Sequence, residues 1–413
     1  MDGGPRRERR FFSARACLLA VGLLSLLVLT TALAFRSHAP RRLEVARGVV
    51  DGSFHPIAGT FAPDGTKLED CGTRDVRCLE QGFGNLAYNA GPRPALALFD
   101  RRRAVDKTVA VDCHRIAHMI GSAALAHFGG NVAQAYSHGS ASCASGYYHG
   151  ILERAFAHVS SARGLIKVAR SLCRGAGVRR RGFLDYQCTH GLGHGLMMQT
   201  GYDLPTALGV CKGLQMRWDE VSCTGGVFME NGSTVYGLRS QWLKDDDPLY
   251  PCNRIKLRNR ASCYLRVTTQ ILRVNRFDWR QTAATCRSLE RRWQPYCFRS
   301  YGRDTVNYVG GKAKAILRLC HLAHAAEGNC LYGAARTIAD REASADQAAA
   351  FCRLAAPRRA GSCFAGLGVV IGLLQPTDAE RAEACQALTD RYARQCARAA
   401  IAEVAPNGRG AWG

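Results

Sequence analysis

Histidine is concentrated in one part of this chain. Eight of the 12 histidines fall between His114 and His194. Two pairs carry the spacing H-x-x-x-H, His114/His118 in DCHRIAH and His190/His194 in CTHGLGH. A third motif, His149/Glu153 in YYHGILE, repeats the same four-residue step. On a helix that step places both side chains on one face, one turn apart. Such a pair can give two ligands to a single metal ion. Neutral imidazole with carboxylate suits Zn or Fe, whereas imidazole with a thioether suits Cu. The expected ligand set is therefore His114, His118, His149, Glu153, His190 and His194, with Met229 as a thioether donor. Met197 and Met198 lie close by in sequence. If the chain is an enzyme, metal-bound water is the expected nucleophile and Glu153 a candidate base or ligand.

Two other readings compete with a metal site. Buried histidines can serve as hydrogen-bonded core groups, and a histidine cluster can respond to pH. The glycines of HGLGH also weaken its helical pattern. The chain has no H-E-x-x-H, G-x-S-x-G, S-x-x-K or Walker A motif, so no standard hydrolase or nucleotide site is written in it. His321/His324 reads as structural. Asp245-Asp246-Asp247 lacks the alternating oxygen ligands of a calcium loop and reads as a solvated turn.

The elements that must position these residues are marked by cysteine. Apart from Cys17 there are 18 cysteines, from Cys71 to Cys396. They pair by spacing as Cys211/Cys223, Cys252/Cys263, Cys286/Cys297, Cys320/Cys330, Cys352/Cys363 and Cys385/Cys396, at separations of 10–12 residues. Cys173/Cys188 is a looser member at 15. The second cysteines advance by 33–40 residues, a period typical of helix–turn–helix repeats. The segment from Trp279 to Trp293 has helix-forming composition without Gly or Pro, and Pro295 suits the first turn of the next helix. A disulfide across each turn would staple two antiparallel helices, contributing about 2–4 kcal/mol. Gly stands three residues after Cys143, Cys188, Cys223, Cys330 and Cys363, which suggests close helix–helix approach; Arg266 and Ser300 break the pattern. The expected fold is all-α: disulfide-stapled helical hairpins stacked as an α/α solenoid. The spacing of Cys71, Cys78, Cys113 and Cys143 leaves their pairing open. Because His149, His194 and Met229 each lie six residues after a second cysteine, stacking would align them in a ladder.

Residues 16–35 form an uncharged run of 20, long enough to span a bilayer, behind an arginine-rich N-terminus. The positive-inside rule puts residues 1–15 in the cytoplasm and the bulk of the chain outside, as a single-pass signal-anchor protein. The alternative is secretion after cleavage near Ala34, since Ala32-Leu33-Ala34 resembles an A-x-A site. Residues 36–70 read as a linker, 71–230 as the His-rich helical module, 231–403 as the regular hairpin repeats and 404–413 as a disordered tail. An exported location matches an even cysteine set and a disulfide framework, and no C-x-x-C exists to suggest a redox or zinc-ribbon motif. The net charge of +23 comes mostly from arginines spread along the chain. A nucleic-acid binder should show a concentrated patch, so nucleic acid is not an expected partner. Two function classes follow: a scaffold that binds a protein or anionic polymer on its solenoid face, or a metal-dependent enzyme or metal-handling protein using Zn, Fe or Cu.

Overall fold

The computed structural model describes residues 61–405, except 73, 141, 158, 160, 176–178 and 233–239. The basic N-terminus, the apolar run at 16–35, most of the linker and the tail from 406 lie outside the described residues. The described chain is all-helical, without strands, and carries nine disulfides.

Five of the regular hairpins join a shorter first helix to a longer second one; at Cys252/Cys263 the first cysteine lies in a run of turns over 248–254 and only the second is in a helix, Leu257–Tyr264. Two proline starts show how the sequence sets the boundary. Pro295 and Pro357 sit in the first turn of helices Gln294–Tyr308 and Pro357–Leu374, where the missing N–H costs nothing. Within the helix-forming segment Trp279–Trp293 the helix ends at Ser288, where Leu289 turns extended and the chain reverses over residues 289–293, about the turn near residue 291 that the symmetric spacing of Cys286 and Cys297 implies. The disulfides then bridge across these turns: Cys173–Cys188, Cys211–Cys223, Cys252–Cys263, Cys286–Cys297, Cys320–Cys330, Cys352–Cys363 and Cys385–Cys396. The pairs left open by spacing are Cys71–Cys78 and Cys113–Cys143.

Among the described residues, nine helices form the interior and are labelled here in chain order: α1 (Val76–Ala90), α2 (Cys113–His127), α3 (Ser142–Phe156), α4 (Phe183–Gln199), α5 (Arg217–Gly232), α6 (Gln294–Tyr308), α7 (Glu327–Glu342), α8 (Pro357–Leu374) and α9 (Ala393–Val404). Neighbours in this order pack on one another from α1 to α5 and again from α6 to α9, while helix Leu257–Tyr264 bridges α5 and α6. The second run also returns to the first: α7 packs on α3, and α8 on α4. Three polar contacts fasten that return. Arg179 donates to the Leu373 carbonyl at 2.6 Å, Trp218 Nε1 donates to the Glu403 carbonyl at 3.2 Å, and Arg181 donates to the Val404 carbonyl. The fold is already packed at Phe61, inside the stretch read as linker. Its ring is buried, its N–H donates to Ser122 Oγ, and its carbonyl accepts from Arg154.

The interior helices approach closely at glycine. A Cβ on Gly150 would lie 1.8 Å from the His118 carbonyl oxygen, and one on Gly226 would lie 1.9 Å from the His190 carbonyl oxygen. No other residue fits at that separation. At the repeats without the glycine, Ser300 is buried and bonded to Thr268 at 2.6 Å, and Arg266 projects into a cleft.

Candidate metal centre

The four-residue spacings become one-face pairs because α2, α3 and α4 are helical throughout their histidines. Helix α4 carries HGLGH as regular helix despite its three glycines, since nearly every residue of it is buried. The glycine contacts then draw three helices close enough for their rings to meet. His114 and His118 from α2, His149 from α3, and His190 and His194 from α4 form one cluster. His114, His118 and His149 form one triad and His149, His190 and His194 a second, each with ligand atoms within 4.8 Å of one another. His149 belongs to both.

The ring orientations are fixed from behind. His114 Nδ1 donates to the Cys143 carbonyl at 2.7 Å. His118 Nδ1 lies 2.6 Å from Glu153 Oε1, and His194 Nδ1 lies 2.8 Å from Glu230 Oε2. Tyr202 donates its hydroxyl to the other Glu230 oxygen at 2.5 Å. The His190 ring is hydrogen-bonded to the Ser222 backbone. When Nδ1 carries the proton, Nε2 presents a lone pair. The Nε2 atoms of His114 and His118 face each other at 3.0 Å. His194 Nε2 and both nitrogens of His149 are buried with no hydrogen-bond partner. Converging lone pairs of this kind are costly unless a cation or proton sits among them.

Protonation of four of these rings is disfavoured. Burial drives the pKa values of His114 and His118 down to about 3, with neighbouring histidines adding to the effect. Burial also holds His149 and His190 well below the usual imidazole range, with the His194 ring adding to it. All four are therefore neutral, the form that ligates metal. Burial works to raise Glu230, but its hydrogen bonds and charge interaction with His194, and the Tyr202 hydroxyl, leave it below the usual carboxylate range. A carboxylate behind a ligating imidazole is the arrangement that orients the ring and raises its basicity. The donor set thus fits a transition metal, and the histidine triads could hold one.

The other residues singled out by sequence separate into two groups. Glu153 and Glu230 are present but stand behind histidines. Met229 is half-buried at the lip of two clefts that reach the cluster, one with His149 and His190, the other with His114, His118 and His194. His321 and His324 belong to neither triad; His321 is exposed near Glu327. His127 and His138 bond to the Tyr88 and Gln134 carbonyls and stay outside the cluster. Asp245 pairs with Arg273, and Asp247 bonds to Asn253 within its turn. Spacing gave no sign of Tyr202 or of the role of Glu230, which pair through the fold across 28 residues.

The chain matches no protein-family model, no curated protein and no solved structure. The fold and the site define a class by themselves: a cysteine-stapled helical protein built around a cluster of five histidines, four buried and His114 half-buried. Among the described residues, no helix is long and apolar enough to cross a membrane.

Proposed function

We propose that this chain is an extracytoplasmic metal-binding protein whose five histidines hold a transition-metal ion between α2, α3 and α4. The carrying observation is the convergence of five imidazole rings in two triads, with both ring nitrogens of His149 and Nε2 of His194 buried without a hydrogen-bond partner. Imidazole donors suit Zn, Cu or Fe, and the thioether of Met229 at the cleft favours Cu among them. Two triads sharing one histidine leave room for one ion or a pair. Bound there, the ion would act as a Lewis acid or redox centre reached through the two clefts. Glu153 and Glu230 hold His118 and His194 in the ligating tautomer, and Tyr202 holds Glu230.

The apolar run at 16–35 anchors the chain in the membrane, with the histidine module outside. Stacked hairpins α6 to α9 support the site in this reading, as a solenoid supports a binding face.

Metal analysis of the purified, oxidised full chain tests the reading. After separate loading with zinc and copper followed by desalting, one or two equivalents per chain should remain. His149→Ala and His194→Ala should lower that content to well under one equivalent while the helical signal is kept. Substoichiometric metal in the native chain under both loadings would leave only a scaffold that docks a protein or an anionic polymer.

A further inference from the structure

The second half of the chain brings arginine to the place where the first half brings histidine. Six residues after the second cysteine of a hairpin stand His149, His194 and Met229 in the first half, then Arg303 and Arg336 in the second. Two residues after it stand His190 in α4 and Arg299 in α6. Because α7 returns onto α3, all of these except His194 line one cleft. It is partly open to solvent, holds a cavity of about 80 Å³, and is lined by His149 and His190 on one side. Arg266, Arg299, Arg303, Arg336 and Arg341 line the other, with Asp340 as the one carboxylate among the lining residues. Arg303 is paired with Asp304 at 2.7 Å within its own helix.

Aromatic rings hold two of these guanidiniums in place. Arg299 lies 4.1 Å over the Tyr332 ring, and Arg336 lies 5.8 Å over the Tyr186 ring while donating to the Tyr186 hydroxyl at 3.4 Å. A ring attracts a cation and steadies it. Burial, reinforced by the charges of Arg303 and Arg336, pulls Arg266 down to about 10. Like charges crowded in a half-closed cleft repel one another and focus a positive field on any anion that enters. Guanidinium forks match the oxygens of phosphate and carboxylate.

We propose that this cleft binds a multiply charged oxyanion, a phosphoryl or dicarboxylate group, and presents the ligand to the histidine centre beside it. Presentation to a metal rests on the function proposed above; anion binding does not. Arg299 and Arg336 grip the anion, and Met229 separates the cleft from the second opening onto His114 and His118.

Calorimetric titration of the purified full chain at low ionic strength, with inorganic phosphate in one arm and succinate in the other, tests the first part. One saturating equivalent is expected in at least one arm, in metal-free protein as well as metal-loaded protein, and the tighter arm names the oxyanion class. Arg299→Gln should weaken it at least tenfold, as should Arg336→Lys, which keeps charge but loses the fork. Arg318→Gln, on the exposed face of helix Ala313–His321, should change it less than twofold. No saturable binding of either anion, or equal loss in the Arg318 variant, would overturn the site. The visible spectrum of cobalt-loaded protein tests the second part: the bound anion should shift its bands. Unshifted bands at saturating anion would overturn presentation to the metal. Failure of zinc, copper and cobalt alike to bind would overturn both presentation and the metal reading, and leave the anion site standing on its titration.

Discussion

Glu230 is the residue on which the histidine centre most visibly depends. Its two oxygens are taken by His194 Nδ1 and the Tyr202 hydroxyl, and all three groups are buried. Glu230→Gln keeps the shape but removes the charge that polarises His194. Loss of such a supporting carboxylate weakens metal affinity by about 10–100-fold. Competition against a chromophoric chelator should read that loss with the helical signal unchanged; equal affinity would show that His194 is not a ligand. The neutral state of the rings carries a second prediction. His114 and His118 titrate near 6.5 when exposed in the unfolded chain and at about 3 when folded. Between those values the unfolded chain holds more protons, so stability rises with pH and falls as the medium is acidified. The metal-free protein should have its full histidine-linked stability above pH 6.5 and lose about 2 kcal/mol per ring by pH 5. Urea midpoints at the two pH values measure it; a flat profile would mean that water reaches the rings. Sequence showed the histidines because helical spacing is local. It did not show Tyr202 as the partner of Glu230, or the arginines of the cleft as their neighbours, because those meetings depend on how distant helices pack.

At the scale of elements, glycine and cysteine share the work of bringing helices together. Gly150 faces the His118 carbonyl at a distance no methyl group can occupy. Gly150→Ala must part α2 from α3, which costs about 1–3 kcal/mol as overpacking and also separates His149 from His118. Gly209, in helix Leu204–Lys212, is exposed, and a methyl group added there would meet nothing within 4 Å. Gly209→Ala should therefore be neutral or stabilise by about 0.5–1 kcal/mol. Thermal unfolding with metal titration on both variants separates the two cases. Equal behaviour would mean that the close approach does not position the site. The hairpins themselves were legible, since a turn flanked by cysteines at constant separation leaves few alternatives. Helix ends were less so. The helix-forming composition of residues 279–293 marks no stop at Ser288, but the symmetric spacing of Cys286 and Cys297 centres the reversal near residue 291. The Cys113–Cys143 bridge spans 30 residues with the short helix Val132–Ser137 between, so no repeat spacing announced it.

For the molecule as a whole, nine disulfides suggest an oxidising, extracytoplasmic environment. They also staple hairpins one at a time, and none joins the first half to the second. What closes the chain on itself is noncovalent: α7 on α3, α8 on α4, and the contacts of Arg179, Arg181 and Trp218 with backbone carbonyls near 373 and 404. Hydrogen bonds from a charged donor contribute about 1.5–3 kcal/mol each. Arg179→Ala with Arg181→Ala should therefore weaken closure by several kcal/mol while every stapled hairpin survives. Because the second half roofs the cleft beside His149 and His190, opening it exposes the centre to water and competing chelators. The double variant should lose bound metal faster to a chelator, and amide exchange should rise in α8 and α9 while the disulfide-linked peptides stay intact. The hairpin turns should keep their protection, since their staples are local. Unchanged metal release with raised exchange would show that the histidine module holds its ion without the roof, and would confine the second half to the anion cleft.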